Sequence, residues 1–359
     1  MSELTGKKVL VTGATGFTGT YLLYALVAQG ALVHCIARPS PRADKLRQMP
    51  GVTVFEGQVY DPEVVTRAAK GVEFVFHVAA AFRDASVEQE EYYRVHVAST
   101  ELLLKEVAKN PLFRRFVLVS TMGVHGHIEH PPGSETSPYA PGDEYQRTKL
   151  QAEDYVRTFC LKHPIDYTII RPTGIYGPGD RRLLKVFRLA LLPATPILGF
   201  GQTLYHYVYV TDLVDAILLS ATAPSASREA FIIGDERAIA LPTVLSEIRR
   251  IFRKKGCNTR IPVTPFFWLA ALCEAFAKAT KTSPILYKRR VAYFTKDRSF
   301  DTSKMRDTLG FTPKVGTLEG IRRTAEWYVQ QGWLQAPPAS EAGGSNQASP
   351  PQDAHVANK

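Results

Sequence analysis

Tyr145 and Lys149 lie four residues apart inside Asp143 to Lys162, a stretch long enough for a helix, on which residues at that spacing share a face. A free phenol titrates near pH ~10, and an ammonium beside it favours the phenolate, so the pair brings proton exchange closer to neutrality. Such a phenol gives a proton to a carbonyl oxygen or takes one from an alcohol. Alone, a tyrosine and a lysine at this spacing describe an exposed helix pair, so the chemistry has to be argued from what surrounds them.

A second group stands near the start of the chain. Thr12-Gly13-Ala14-Thr15-Gly16-Phe17-Thr18-Gly19 follows the apolar run Lys8 to Val11 and opens the segment Phe17 to Gln29. Glycines permit the tight turn, and the backbone N–H groups at the helix start attract a pyrophosphate. Elsewhere a glycine trio marks only a tight turn; between strand and helix it predicts a dinucleotide site, with Gly13, Thr15, Gly16, Phe17 and Gly19 at the phosphates. The next strand ends Cys35-Ile36-Ala37-Arg38. An acid there would bind the ribose 2′-OH, whereas an arginine accommodates a 2′-phosphate. With Arg38 and no Asp or Glu, the reading favours NADP(H) over NAD(H); the competing view is a solvent-facing arginine.

The elements that must position these groups alternate along the chain. Lys8 to Val11, Ala31 to Ala37, Val52 to Glu56, Phe74 to Val78, Arg115 to Ser120 and Tyr167 to Arg171 are short apolar runs that read as strands buried on both faces. Phe17 to Gln29, Pro62 to Lys70, Glu88 to Ala108 and Asp143 to Lys162 between them are long enough for crossover helices. The fold class predicted is α/β: a Rossmann-type doubly wound parallel sheet with a smaller C-terminal substrate-binding region. Residues 1–171 form the NADP-binding domain, with 207–235 returning to it. Residues 172–206 and 236–335 form the substrate-binding region, with a helix near Leu183 to Leu191. Residues 336–359, rich in Pro, Ala, Ser and Gly without an apolar period, read as a disordered tail.

The chain has 359 residues, 45% apolar and 22% charged, with a formal charge of +10. The spacing of Cys35, Cys160, Cys257 and Cys273 fits neither a disulfide framework nor a metal ligand set, which implies reduced thiols, a cytoplasmic location and no metal. The N-terminus carries no secretory pattern, and no apolar run reaches the length of a membrane span. Positive charge gathers late, at Arg249, Arg250, Arg253, Lys254, Lys255, Arg260, Lys288, Arg289 and Arg290. A solvated basic face is the default; an anionic lipid surface comes next, and nucleic acid, for which there is no motif, last.

Six motifs in one order make the sequence resemble the extended short-chain dehydrogenase/reductase family from about Lys7 to about Trp333. They are the glycine loop, His77-Val78-Ala79-Ala80, Ser120-Thr121 followed by Val124-His125-Gly126, Tyr145-Gln146-Arg147-Thr148-Lys149, Arg171-Pro172-Thr173-Gly174-Ile175-Tyr176-Gly177-Pro178-Gly179-Asp180, and Val208-Tyr209-Val210-Thr211-Asp212. The resemblance implies that Tyr145 exchanges the proton, Lys149 also holds the nicotinamide ribose, and Thr121 hydrogen-bonds the reacting oxygen. It adds Val78, Ala79, Ala80 and Pro172 to the cofactor side, and relatives are often dimers. Two positions depart from the pattern. Gln58-Val59 stands where Asp and an aliphatic residue commonly meet the adenine. His96-Val97 replaces Asn-Val, so an asparagine-supported proton relay does not carry over, and His96 reads as a helix-packing residue.

Within the family, dehydration is disfavoured because Thr121 is followed by Met122-Gly123 rather than Asp-Glu. Nucleotide-sugar epimerases usually carry an arginine where this chain has Tyr205, and an aromatic ring supplies no charge for a diphosphate. Phe300-Asp301-Thr302-Ser303-Lys304, Leu309-Gly310-Phe311 and Trp327-Tyr328 resemble the 3β-hydroxysteroid dehydrogenase and dihydroflavonol reductase-like branch. The expected activity is thus ketone–alcohol interconversion on an apolar small molecule. A nucleotide-sugar epimerase and a non-catalytic NADP-binding regulator are the alternatives. Phe82, Met122, Thr173, Tyr176 and Tyr205 are candidate substrate contacts. The run Pro265 to Cys273 lines a pocket, packs inside the small domain, or, with the residues up to 290, meets a membrane surface.

Overall fold

The computed structural model describes residues 3–81, 88–199, 201–280, 291 and 296–337. Its chain begins β1 (Lys8–Thr12), α1 (Phe17–Ala28), β2 (Leu32–Ala37), α2 (Pro41–Arg47), β3 (Val52–Glu56), α3 (Pro62–Ala69) and β4 (Phe74–His77). It continues through α4 (Gln89–Tyr93), a π-helical turn Arg94–Ala98, α5 (Ser99–Val107), β5 (Arg115–Val119), α6 (Glu144–Lys162) and β6 (Asp166–Pro172). With the later strand Glu229–Ile233 these make a seven-stranded sheet, ordered Glu229–Ile233, β6, β5, β4, β1, β2, β3. Every pairing in it is parallel. This is the Rossmann-type architecture expected from the alternation of elements.

Two cores follow from the two-residue period of the strands. Val9, Val11, Val33, Phe76 and Val117 face one side, where α1 (Leu22, Leu23, Leu26) and the helix Val210–Thr222 (Leu213, Val214, Ile217) cover them. Leu10, Ile36, Val75, Phe116 and Leu118 face the other, against α3 (Val64, Val65), α5 (Leu103, Leu104) and α6 (Ala152, Val156). β1 lies between β2 and β4, so the strand order reverses there. Crevices open at the carboxyl end of such a switch point, which is where the Thr12–Gly19 loop lies.

The chain divides into two compact units, 1–175 with 204–238 and 296–316, and 176–203 with 239–295 and 317–359. Residues 296–316 were expected in the substrate-binding region but belong with the sheet. Met305, Leu309 and Phe311 enter its core, Lys304 pairs with Glu229 at 2.6 Å, and Val315 N–H donates to Asp212 Oδ2 at 2.9 Å. In the second unit the strands Ala194–Leu198 and Cys257–Ile261 pair in parallel. Arg249 anchors them, donating to the Ala190 carbonyl, Asn258 Oδ1 and Thr195 Oγ1 at 3.0, 2.8 and 2.6 Å. Phe82, Lys288, Arg289, Arg290 and residues 338–359 of the expected tail lie outside the described residues.

Candidate active site

The glycine loop is shaped by contacts that leave no room for a side chain. Gly13 has φ +74°, and a Cβ there would fall 2.8 Å from the Ala79 nitrogen; one on Gly19 would fall 2.0 Å from the Gly13 carbonyl oxygen. Backbone from β1, α1 and the end of β4 is therefore pressed into a cradle. Gly16 is the N-cap of α1, makes no side-chain capping bond, and no acid occupies the first turn. Those N–H groups and the helix dipole together make a place for a phosphate anion. Arg42, on α2, donates to the Thr15 carbonyl at 3.1 Å and so braces the loop. Sequence reading missed it, because α2 is a short polar helix that sets up no apolar period. Arg38 follows β2 directly and is exposed.

Beneath the loop runs a buried polar chain whose protons can be assigned by counting. Ser99 donates its one hydroxyl hydrogen to the Val95 carbonyl at 2.6 Å, so His77 Nε2–H donates to Ser99 Oγ at 3.0 Å. His77 Nδ1 then accepts from the Thr12 hydroxyl at 2.6 Å, and Thr12 Oγ1 accepts from Ala79 N–H at 3.2 Å. Burial, with the Lys149 charge, pushes His77 down to about 3, which keeps the ring neutral. The carboxyl ends of β1 and β4 are thus fixed to each other and to α5.

α6 carries the proposed catalytic pair into this frame. Asp143 caps it by accepting from Gln146 N–H at 2.9 Å. Lys149 is 1% exposed, and its Nζ donates to the carbonyls of Val119 at 2.9 Å and Ala79 at 3.3 Å, at the ends of β5 and β4. Burial lowers it to about 8, partly offset by the charge of Glu153 one turn later. Tyr145, half-buried, lies one turn before Lys149. The His96 ring meets it edge-on with centroids 5.2 Å apart, and that of Tyr92 does so at 6.3 Å. Thr121 Oγ1 accepts from Gly123 N–H at 3.0 Å, a bond that orients the side chain and does not use its hydroxyl hydrogen.

His96 occupies the π-helical turn and uses both ring nitrogens. Ala81 N–H donates to Nε2 at 3.1 Å, so Nδ1–H donates to Thr148 Oγ1 at 2.8 Å, and Thr148 passes its own hydrogen to the Glu144 carbonyl at 2.9 Å. Burial first, and then the Lys149 charge, lower its pKa far below the usual range. A ring so engaged is a brace between the loop after β4 and α6.

Arg171, fully buried at the end of β6, gathers the loop after Thr121. It holds Glu153 at 3.0 and 2.6 Å through Nε and Nη2 and donates to His125 Nε2, the Tyr139 hydroxyl and the Glu135 carbonyl at 3.0, 2.6 and 3.2 Å. Burial alone would raise the Glu153 carboxyl, but the Arg171 hydrogen bonds and charge hold it below its usual value. A buried charge pair needs such a full set of partners to persist.

The remaining candidates fall in different places. Gln58 and Val59 follow β3, half-buried; Val78 and Ala80 flank the Ala79 contact; Pro172 ends β6 and is buried. Met122 packs against Ile128, Ile232 and Phe300, and Thr173 Oγ1 is buried with no hydrogen-bond partner among the described residues. Tyr176 is 2% exposed and its hydroxyl donates to the Thr317 carbonyl at 3.0 Å. Tyr205 is buried and stacks on Tyr207 at 6.5 Å, and a parallel bridge brings Arg298 alongside it. Arg298 is 93 residues from Tyr205 in sequence, so motif reading could not have placed a cation beside that position.

Residues 9–234 match the NAD dependent epimerase/dehydratase family. The chain is 28% identical over 345 residues to the 3 beta-hydroxysteroid dehydrogenase/Delta 5-->4-isomerase of Mycobacterium tuberculosis, covering 90% of each protein. It is also 28% identical over 336 residues to a UDP-glucose 4-epimerase of Mycolicibacterium smegmatis, covering 89% of this chain and 98% of that one. Among solved structures it resembles a UDP-glucose 4-epimerase of Thermotoga maritima bound to UDP-glucose, with a TM-score of 0.70, 23% identity, and 90% and 99% of the two chains covered. That likeness speaks for the fold.

The lowered Lys149 pKa has a measurable consequence. Between about 8 and 10.5 the folded chain holds fewer protons on this lysine than the unfolded chain, so stability of the ligand-free protein rises with pH across that window. Urea midpoints at about pH 8 and about pH 10 should show the rise, and Lys149→Met should flatten it. Parallel curves for the two proteins would show that Lys149 titrates like an exposed lysine.

Proposed function

The chain belongs to the NAD dependent epimerase/dehydratase family, an extended short-chain dehydrogenase/reductase acting on CH–OH groups, and from that premise we propose that it uses NADP(H) to interconvert a ketone and a secondary alcohol on an apolar, steroid-, flavonoid- or β-keto-like substrate. The cofactor, when bound, supplies or accepts the hydride. Gly13, Gly16 and Gly19 would let the backbone and the N–H groups at the start of α1 approach its pyrophosphate, with Thr15 and Phe17 beside them and Gln58 and Val59 on the adenine side. Val78, Ala79, Ala80 and Pro172 border its nicotinamide end. Thr121 donates a hydrogen bond to the reacting oxygen, and Tyr145 gives or takes its proton. Lys149, held by two carbonyls, keeps a cation next to that phenol and reaches the ribose.

The observation that carries the net-reductant reading is the pair of guanidinium groups after β2. Arg38 stands where an acid would bind a 2′-OH, and Arg42 approaches the same loop. A 2′-phosphate matches that charge, and NADPH is the usual reductant of a net reduction. An apolar substrate accords with the apolar cluster of Ile128, Ile232 and Phe300, against which Met122, the residue after Thr121, packs.

Nucleotide-sugar epimerisation is the second reading, favoured by Arg298 beside Tyr205 and by the UDP-glucose 4-epimerase among the relatives. One assay separates the two. The protein is incubated with NADPH or NADP⁺ and a panel of sterols, flavonoids, β-keto compounds and UDP-sugars while nicotinamide absorbance is followed. We expect net cofactor conversion with at least one apolar ketone or alcohol and inert UDP-sugars. Epimerisation of a UDP-sugar without net conversion would replace the first reading by the second. For the cofactor, Arg38→Ala should weaken NADPH by about 10- to 100-fold, the loss of a charge-assisted contact, and leave NADH nearly unchanged. Equal losses for both would show that Arg38 does not meet the 2′-phosphate.

A further inference from the structure

The helix Thr264–Thr280 presents two apolar sides where a globular protein needs one. Ala270 and Ala277 are buried on one side. On the other, Trp268, Leu269, Leu272 and Phe276 are 71, 50, 68 and 69% exposed, and Pro265 and Ala275 are exposed with them. At 3.6 residues per turn these six positions fall within an arc of roughly 120°, and the helix's one acid, Glu274, lies outside it. Scattered exposed leucines need no explanation, but a charge-free stripe that includes a tryptophan marks a surface awaiting something apolar.

Charge identifies the occupant. Residues 239–296 contain twelve of the chain's 44 Lys and Arg and two of its 34 Asp and Glu, so the remaining residues carry 32 of each and no net charge. All of the +10 is concentrated in the stretch that contains the apolar stripe. Arg253, Lys254, Lys255 and Arg260, just before the helix, are exposed. A second copy of the chain would bring one such basic segment against another, which like-charge repulsion disfavours. An anionic bilayer offers hydrocarbon for the stripe and phosphates for the exposed cations that precede it in the chain, and tryptophan favours the boundary between the two. No helix among the described residues is long and apolar enough to cross a membrane, so contact would be parallel to the surface.

We propose that the helix Thr264–Thr280 seats this protein on the surface of an anionic lipid bilayer, with Trp268, Leu269, Leu272 and Phe276 in the headgroup–acyl boundary and the exposed Arg253, Lys254, Lys255 and Arg260 against lipid phosphates. The inference does not depend on the substrate reading, since any substrate leaves the stripe and the charge where they are.

Vesicle co-sedimentation of the full chain tests it, with phosphatidylcholine alone against phosphatidylcholine mixed with phosphatidylglycerol. The protein should pellet with the anionic vesicles only, and rising salt should release it. Trp268→Ser combined with Leu272→Ser should lower vesicle affinity by about tenfold or more, and Phe276→Ser should lower it too. Lys254→Glu combined with Lys255→Glu should weaken it through charge alone. All three sets of positions are exposed, so melting temperature and NADPH binding should stay at wild-type values. Absence of binding to anionic vesicles overturns the proposal, as does undiminished binding by the Trp268→Ser, Leu272→Ser protein. A dimer in sedimentation velocity that this variant dissolves would assign the stripe to a second copy instead.

Discussion

A lysine buried to 1% exposure, Lys149, holds the cofactor crevice together. An ammonium taken out of water needs acceptors, and the two it finds are the carbonyls of Val119 and Ala79. Those carbonyls close β5 and β4 at the end of the sheet where the strand order reverses. One side chain therefore ties α6, which carries Tyr145, to the strand ends on which the glycine loop and the Thr121 turn are built.

The neighbouring groups are arranged to keep that cation the local positive charge. His77 and His96 are neutral because burial and Lys149 together disfavour their charged forms, and each has both ring nitrogens satisfied. Glu153, one turn beyond Lys149, is committed to Arg171, so it offsets part of the Lys149 desolvation through space. Positioning comes from the same bonds. Thr12, His77 and Ser99 lock β1, β4 and α5, while His96 and Thr148 fix the α6 turn on which Tyr145 stands.

Much of this was legible in the sequence because its signals are local. The strand runs are short and apolar, the glycine loop is contiguous, and Tyr145 and Lys149 share a helix face, so the parallel sheet and the pair could be read residue by residue. The pieces that escaped are those made by distant residues or weak periods. α2 and Arg42 carry no apolar pattern. The Arg171 cluster draws on His125, Glu135, Tyr139 and Glu153, and Arg298 meets Tyr205 only after 296–316 folds back onto the sheet unit. Tyr176 sits in a recognisable motif, yet its hydroxyl is spent on Thr317, a partner that no motif predicts.

The central claim is that Tyr145, next to a fixed cation, handles the proton of a nicotinamide-dependent reaction. Tyr145→Phe removes that proton and keeps the ring that packs against His96. Measured side by side, NADPH affinity should stay at the wild-type value while turnover of a competent ketone falls by about 10²- to 10⁴-fold, the usual contribution of a positioned acid. Turnover within a few-fold of wild type, with NADPH still bound, would contradict the assignment of Tyr145 as the proton donor.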